Sequence, residues 1–446
     1  MNLIYRQTPQ RPLTHVYVIF PRSGACLDPA TSRGLGRLTL RTLLMGAGDL
    51  SAETMSERLE RLGAVTGSGL SNDHISLRLT TLTDKLDEAL ELFRLSLHSP
   101  RFDGGEFARV QTELTSAWRS EREESKQLRA QEVFLARCYE DRSHAYLPDG
   151  RLEGLRACTA EMAAAHYRRL VAVPAPILAV LSDLPREAVE EKIVPLLFPL
   201  PGGNGNQPSG LSGQVPYPWD DFTLPQKHGR TVTLVPEMDT ATDEVMLGSF
   251  STHRKVPDWH VHRLISMIFG GDMNSRLFRQ IRGERGYSYG ASCWYEAAAG
   301  RMPRDMPAPF AMYTFPSAEH SAAAVPLVIE LYEQLVAEGV TEEELDLARA
   351  YLINSYPFRF DTPEKQMGLE IDEALYGITT DDDETHRAKL AAVTPQDILK
   401  ALRATHHPEQ MEIVLLGDPA RLEKTAASLH GVEKIHTVRY PDSIPK

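Results

Sequence analysis

Cysteine is scarce in this sequence, and its four occurrences are scattered over Cys26, Cys138, Cys158 and Cys293. None belongs to a C-x-x-C pair, and no histidine stands at zinc-finger spacing from a cysteine. This distribution argues against a disulfide framework and against a cysteine-based metal site. It is typical of reduced thiols in packed positions.

Long apolar runs are also absent. No window approaches the roughly eighteen uninterrupted apolar residues that a membrane-spanning helix needs. The first twelve residues, MNLIYRQTPQRP, contain no apolar core of signal-peptide length. We therefore expect a cytoplasmic protein that does not interact with a membrane.

Positive charge is in deficit, with 61 acidic against 48 basic residues and a net charge of −13. Such a balance argues against binding to a polyanion, so nucleic acid is not an expected partner. The pair Gly270 and Gly271 is followed by neither a Lys-Ser/Thr step nor a third glycine. The sequence thus gives no sign of a nucleotide-binding loop, and no cofactor is expected in this chain.

A chain of 446 residues exceeds what one hydrophobic core usually organises, so two domains are expected. Segment 201–218 is dominated by glycine, proline and small polar residues and lies near the middle. We interpret it as a linker between an N-terminal domain, 1–200, and a C-terminal domain, 219–446.

Two short motifs recur across this linker. The pattern L-x-A-x-T occupies 155–159 and again 390–394, and L-x-D occupies 181–183 and again 416–418. The separation is 235 residues in both cases. Equal offsets for two independent matches favour a duplicated domain over chance.

Apolar periodicity indicates the same mixture of elements in both halves. Strands are predicted at 16–20, 75–79, 232–235 and 245–247, and helices at 34–45, 86–97, 261–269 and 325–335. Strands and helices are mixed along the chain and do not follow a strict βαβ alternation. The predicted fold class is therefore α+β, with two homologous domains, each a mostly antiparallel β-sheet packed with α-helices.

The most informative run is SRLFRQIRGERGYSY, from Ser275 to Tyr289. Its first part has an apolar stripe at 277, 278 and 281 and predicts a short helix with Ser275 as N-cap. Gly286 breaks that pattern. The alternation beyond it predicts a strand with Tyr289 and Ala291 on one side.

Arg282 would then close the helix and Tyr289 would open the strand, so the turn could bring their polar tips together. Both side chains are hydrogen-bond donors that stay protonated at neutral pH, as a carbonyl oxygen gaining negative charge requires. The alternative is structural: an arginine can serve the helix dipole, and a strand tyrosine can be half-buried packing. Spacing alone leaves both open.

Histidines elsewhere suggest no metal site. His260 and His262 are two residues apart, which places them on different faces of the predicted helix. His406 and His407 are adjacent at a helix end. Neither spacing suits a single ion, so we expect solvated or capping side chains.

The run 275–289 resembles the signature of insulinase-type zinc peptidases, in the two-subunit branch that includes the mitochondrial processing peptidase. The likeness continues through Ile268 to Gly271 and through the segments GVTEEELDLAR at 339–349, AAVTPQDI at 391–398 and IVLLGD at 413–418. The resemblance covers nearly the whole chain. It implies the duplicated α+β fold and, at matching positions, roles for Arg282 and Tyr289 in substrate carbonyl binding and oxyanion stabilisation.

The zinc site of that family is missing. Its inverted zincin motif, H-x-x-E-H, aligns with Arg37-Leu-Thr-Leu-Arg41, and its third ligand, a glutamate, aligns with Ser116 or Ala117. Guanidinium groups have no lone pair to offer a metal. No metal ligand is therefore expected in this chain.

The resemblance implies a zinc-less accessory subunit of a heterodimeric zinc metalloendopeptidase, inactive alone. Its partner would be a homologous zinc-binding subunit carrying H-x-x-E-H, and its substrate an unfolded or extended peptide. Two alternatives stay open. One is a non-catalytic structural subunit of a larger complex, and the other is a partner subunit in the maturation of one ribosomal peptide.

Overall fold

The structure is a computed structural model that describes residues 2–140, 142–172, 176–200, 223–296 and 306–440. The predicted linker, 201–218, lies outside the described residues, so the domain boundary placed there stays a prediction.

The chain forms two compact units, and neither is one continuous stretch of sequence. Unit 1 comprises Met1–Ser120, Leu147–Phe222 and Arg359–Thr380, and unit 2 comprises Glu121–Tyr146, Thr223–Phe358 and Asp381–Lys446.

Strands and helices are mixed throughout both units, as the sequence predicts. The strands are β1 Asn2–Gln7, β2 Leu13–Pro21, β3 Val65–Leu70, β4 His74–Leu82, β5 Ile177–Ser182, β6 Arg230–Pro236, β7 Glu244–Phe250, β8 Ser288–Tyr295, β9 Pro309–Pro316, β10 Glu412–Gly417 and β11 Val432–Thr437. The helices are α1 Leu35–Leu43, α2 Ala52–Leu62, α3 Leu86–His98, α4 Gly104–Glu124, α5 Lys126–Tyr139, α6 Leu152–Ala157, α7 Ala160–Val171, α8 Arg186–Leu197, α9 Trp259–Ser266, α10 Arg276–Phe278, α11 Ser321–Glu338, α12 Glu342–Ser355, α13 Pro363–Tyr376, α14 Asp383–Ala392, α15 Pro395–Thr405 and α16 Pro419–Ala427.

Unit 1 contains a sheet in the order β1-β5-β2-β4-β3. Only β1 and β5 run parallel, while the other three neighbouring pairs are antiparallel. Every residue of β5 is buried, because helices cover the sheet and β5 lies between two other strands. The strand β3 forms one edge of the sheet.

Unit 2 repeats this order as β6-β10-β7-β9-β8, with β11 added beyond β6. The correspondence pairs β5 with β10, and these strands contain or adjoin the two L-x-D motifs. Thr159 and Thr394, from the other repeated motif, are both N-caps whose side chains accept a hydrogen bond from a backbone amide in the first turn. The predicted fold class of two homologous α+β domains is confirmed.

One helix from each half of the sequence belongs to the unit formed mainly by the other half. The helix α5 packs on β7 and β10 of unit 2, whereas α13 packs on β1 and β5 of unit 1. Met367 of α13 joins a buried cluster with Ile4 and Ile177. Each exchanged helix therefore covers an apolar sheet face that would otherwise meet water.

None of the helices within the described ranges combines the length and the apolar run that crossing a membrane requires.

Candidate functional site

Arg282 lies in a short helix that consists of an α-helical segment followed by a π-helical segment. It begins as α10 with Ser275 at the N-cap and continues as a π-helical segment, Arg279–Glu284. Wider π turns inside helices recur at functional sites. Gly286, with a φ of +65°, ends the helix, and its amide donates to the Arg282 carbonyl. A glycine is suited to this position because it lacks the Cβ that disfavours a left-handed backbone.

An irregularity in β8 turns Tyr289 toward solvent. Ser288 pairs with Pro316 and Ala291 pairs with Thr314, so three steps along β8 match two steps along β9. This extra residue is a β-bulge. Tyr289 is 73% exposed, whereas Ala291 is 6% exposed. The expectation that Tyr289 and Ala291 share one side of the strand is wrong, because the bulge shifts the alternation by one residue.

Ser288 holds this bulge in place. Its buried Oγ donates to the Gly290 carbonyl at 2.9 Å and accepts from the Phe315 amide at 3.3 Å. The Thr314 Oγ1 also donates to the Gly290 carbonyl, at 2.9 Å. Sequence reasoning missed Ser288. The available signal was a serine and a glycine flanking one aromatic residue at the start of a strand, since glycine inside a strand often marks a bulge.

The structure brings the two predicted site residues, Arg282 and Tyr289, into direct contact. The Arg282 Cζ lies 4.1 Å from the centroid of the Tyr289 ring and 5.0 Å from that of the Phe278 ring. These distances are within the range of cation–π attraction. Phe278 is only half-buried, so it supports the guanidinium and is not part of the core stripe with Leu277 and Ile281, which are buried.

The hydrogen-bonding capacity of this pair is unused. Across the part of the chain that the structure describes, the Arg282 guanidinium makes no ion pair or hydrogen bond, and the Tyr289 hydroxyl has no hydrogen-bond partner. Ring contacts fix the position of the guanidinium while its N–H groups stay available. The pair can therefore donate hydrogen bonds to a carbonyl or an oxyanion from the Arg282 N–H groups and from the Tyr289 hydroxyl.

Neighbouring residues of the same types have structural roles. Arg276 donates from Nε and Nη2 to the two carboxylate oxygens of Glu344, each at 2.6 Å, and from Nη2 to the Gly339 carbonyl at 2.8 Å. Tyr287 stacks on His320 with 5.0 Å between ring centroids. The structural alternative thus applies to Arg276 and Tyr287, whereas the contacts of Arg282 and Tyr289 do not explain their polar groups.

The positions that align with the zinc ligands carry no metal-binding group. Arg37 and Arg41 lie on α1, and the Arg41 Nη2 donates to the Glu113 Oε1 at 2.8 Å. Ser116 and Ala117 are exposed on α4. Within the described ranges, no group of three or more histidine, cysteine, aspartate or glutamate residues is placed to hold a metal ion. These residues do not fit a zinc ion.

Two of the histidines differ from the expectation of solvated or capping side chains. His262 is 1% exposed, and its Nδ1 shares a hydrogen bond with the Tyr295 hydroxyl at 3.1 Å. His406 is the C-cap of α15, yet it is also buried, and its two ring nitrogens bond the hydroxyls of Tyr295 and Tyr332 at 2.8 and 2.9 Å. Burial lowers the pKa of His262 to about 4 and that of His406 well below its ordinary value. Local spacing could not reveal this network because its partners come from distant segments.

Comparison with known families matches most of the chain. The model described as insulinase, peptidase family M16, matches residues 3–145, and the model described as the peptidase M16 inactive domain matches residues 157–352. A curated relative from Helicobacter pylori, named non-peptidase homolog YmxG, is 21% identical over 404 residues, which are 90% of this chain and 88% of that protein.

Solved structures share the fold. A peptidase M16 inactive domain from Pseudomonas fluorescens superposes with a TM-score of 0.79 at 21% identity, covering 93% of this chain and 95% of that one. A structure described as a protease from Helicobacter pylori gives a TM-score of 0.76 at 17% identity, with 93% and 96% covered. The two family models together match most of the chain, and the fold agrees with them: the chain belongs to the insulinase-type peptidase family M16.

Proposed function

We propose that this chain is the zinc-less accessory subunit of a heterodimeric zinc metalloendopeptidase and supplies Arg282 and Tyr289 to the partner's active centre. The observation that carries the proposal is the stack of the half-buried Arg282 on the exposed Tyr289 ring, and the hydrogen-bond donors of both side chains are unused within the described residues. A side chain kept only for packing would have no need of an outward-facing hydroxyl on a bulged strand.

The chemistry follows from the two donors. Peptide hydrolysis builds negative charge on the carbonyl oxygen, and a fixed donor aimed at that oxygen stabilises the transition state. In the proposal the Tyr289 hydroxyl donates to this oxyanion. Arg282 donates an N–H to a neighbouring substrate carbonyl and holds the peptide in register.

Zinc belongs to the partner in this proposal, because Arg37, Arg41, Ser116 and Ala117 do not fit the ion. The partner would be a homologous subunit carrying H-x-x-E-H, and the metal there would supply the activated water. The substrate would be an unfolded or extended peptide that adds as a strand to a sheet edge of the partner. Main-chain pairing of that kind selects extended segments over folded proteins.

The test is reconstitution with a partner that carries H-x-x-E-H, obtained by copurification from the native source. We expect the mixed chains to cleave an unstructured peptide and each chain alone to be inactive. Tyr289→Phe removes one donor and keeps the ring, so we expect kcat to fall about a hundredfold with heterodimer formation unchanged. Arg282→Gln should mainly raise KM, because it weakens substrate binding.

Matched controls come from the same run. Tyr287→Phe and Arg279→Gln change the same residue types at positions outside the stack, and both should retain activity within about twofold. Full activity of Tyr289→Phe and Arg282→Gln in a verified heterodimer would refute the assignment of these two residues.

A second candidate is a non-catalytic structural subunit. It is favoured by the name of the Helicobacter pylori relative, which describes a non-peptidase homolog. This candidate predicts a stable complex that cleaves no peptide with any metal-bearing partner. The third alternative, maturation of one ribosomal peptide, predicts cleavage of a single precursor and of no unrelated peptide.

A further inference from the structure

A pocket of about 390 Å³ lies in unit 1 where α1 and α2 meet β3 and β4. Three arginines line it, Arg37 and Arg41 from α1 and Arg78 from β4, together with hydroxyl groups such as those of Ser56 and Thr66. Among the described residues that line it, none is acidic. Its size is that of a small-ligand site.

The positive charge of this pocket is largely uncompensated. Arg41 pairs with Glu113, but Glu113 also lies 3.7 Å from Arg109, so it is shared. Arg37 and Arg78 make no ion pair or hydrogen bond to any residue in the described part of the chain. The Nε of Arg41 is buried and has no hydrogen-bond partner there. The pocket therefore presents two unpaired guanidinium groups and one unused buried donor.

Arg78 reaches this pocket across a glycine. Gly67 of β3 pairs with Arg78 of β4, and a Cβ on Gly67 would lie 2.7 Å from the Arg78 Nε. The absence of a side chain at Gly67 lets the arginine lie over the edge strand toward α1. Since Gly67 has no positive φ, its role is one of space and not of backbone conformation.

Like charges one helical turn apart, as at Arg37 and Arg41, destabilise a helix, and Arg78 adds a third cation. An anion would offset this repulsion and satisfy the free donors. A planar guanidinium binds carboxylate and phosphate oxygens in a bidentate manner, which makes arginine suited to such ligands.

We propose that this pocket binds an oxyanion group of up to two negative charges, a phosphate or a carboxylate. The group could come from a free small anion or from an acidic side chain of an extended peptide beside the edge strand β3, and the chemistry is the same for both. The helix face that carries a cation in zinc-binding relatives of this family would here hold an anion. The proposal does not depend on the peptidase-subunit function.

Isothermal titration calorimetry of the full chain with inorganic phosphate, at ionic strength matched with chloride, tests the site. A parallel titration uses two extended peptides that differ by Glu in one and Gln in the other. The double variant Arg37→Gln/Arg78→Gln should bind phosphate at least about tenfold more weakly, because each charge-assisted contact has roughly that effect on affinity. Arg101→Gln makes the same type of substitution at an exposed arginine outside the pocket, and this variant should bind phosphate as the natural chain does.

Gly67→Ala keeps every charge but displaces the Arg78 side chain, so it should also weaken phosphate binding. This variant therefore distinguishes an effect of pocket geometry from an effect of overall charge. Binding of phosphate with no preference for the Glu peptide would identify a free anion as ligand. Tighter binding of the Glu peptide than of its Gln twin would identify a peptide side chain. Absence of binding in all titrations, an unchanged affinity in the double variant, or an equal loss with Arg101→Gln would overturn the proposal.

Discussion

The buried histidine–tyrosine network of unit 2 predicts that acid destabilises this protein well before most carboxylates are protonated. His262 and His406 are joined through the Tyr295 hydroxyl, and both are neutral in the folded chain because burial disfavours their charged forms. Asp258 lies 3.9 Å from the Nε2 of His262 and opposes the shift, but burial is the larger cause. In the unfolded chain both histidines would titrate near their ordinary pKa.

The sign and size follow from proton linkage. A folded pKa below the unfolded one means that the unfolded chain takes up protons first, so the stabilisation is complete above about pH 6.5 and is lost as pH falls toward 4. For His262 alone the full effect is about 3 kcal/mol, of which about 2.5 kcal/mol is lost by about pH 4.5. His406, with a pKa lowered in the same direction, should add to this loss.

Urea-induced unfolding, followed by tryptophan fluorescence from about pH 7 to about pH 4.5, measures the effect. Trp259 is a suitable reporter, since its ring centroid lies 5.4 Å from that of Tyr295. The variant His262→Gln removes one titrating group, so its free energy of unfolding should depend less steeply on pH than that of the natural chain. Identical pH dependence in the two chains would refute the assignment of the loss to His262.

Two further predictions concern the residues that shape the site. Ser288→Ala removes the hydroxyl that bonds the Gly290 carbonyl and the Phe315 amide, so it should lower the free energy of unfolding by about 1–3 kcal/mol. Ser288→Thr keeps a hydroxyl and should retain most of that free energy. An Ala variant as stable as the natural chain in urea unfolding would contradict this account of the bulge. Arg276→Met leaves Glu344 without its bidentate partner and should lower the free energy of unfolding by about 2 kcal/mol in the same assay. The matched change at an exposed arginine, Arg279→Met, should lower it little. Equal decreases for the two variants would show that the ion pair contributes nothing to stability.

Short-range features were predictable because their causes are local. The capping boxes at Thr341 and Thr394 depend on residues three positions apart, and both are present in the structure. The helix break at Gly286 has the same local origin. Ser275 shows the limit of such reasoning. It occupies the N-cap position, but its hydroxyl donates to the Asp272 carbonyl and does not cap the helix.

Features set by distant partners were not predictable. The burial of His262 and His406 depends on tyrosines from β8 and α11, far along the chain. The exchange of α5 and α13 is a further case. The amphipathic pattern of a helix predicts that the helix covers an apolar face, but it does not predict which of two similar sheets provides that face.

The sequence by itself determined the duplicated α+β plan, since the apolar periodicity of the strands and helices and the 235-residue repeat can both be recognised in the amino-acid sequence. It also determined the absence of metal-binding side chains at 37–41, because guanidinium chemistry does not depend on the fold. Only the tertiary structure decided the direction of Tyr289. Its exposure comes from a slip in register between β8 and β9, and pairing with another strand sets that register. The stack of Arg282 on the Tyr289 ring likewise requires the turn to close, which spacing permits but only packing fixes.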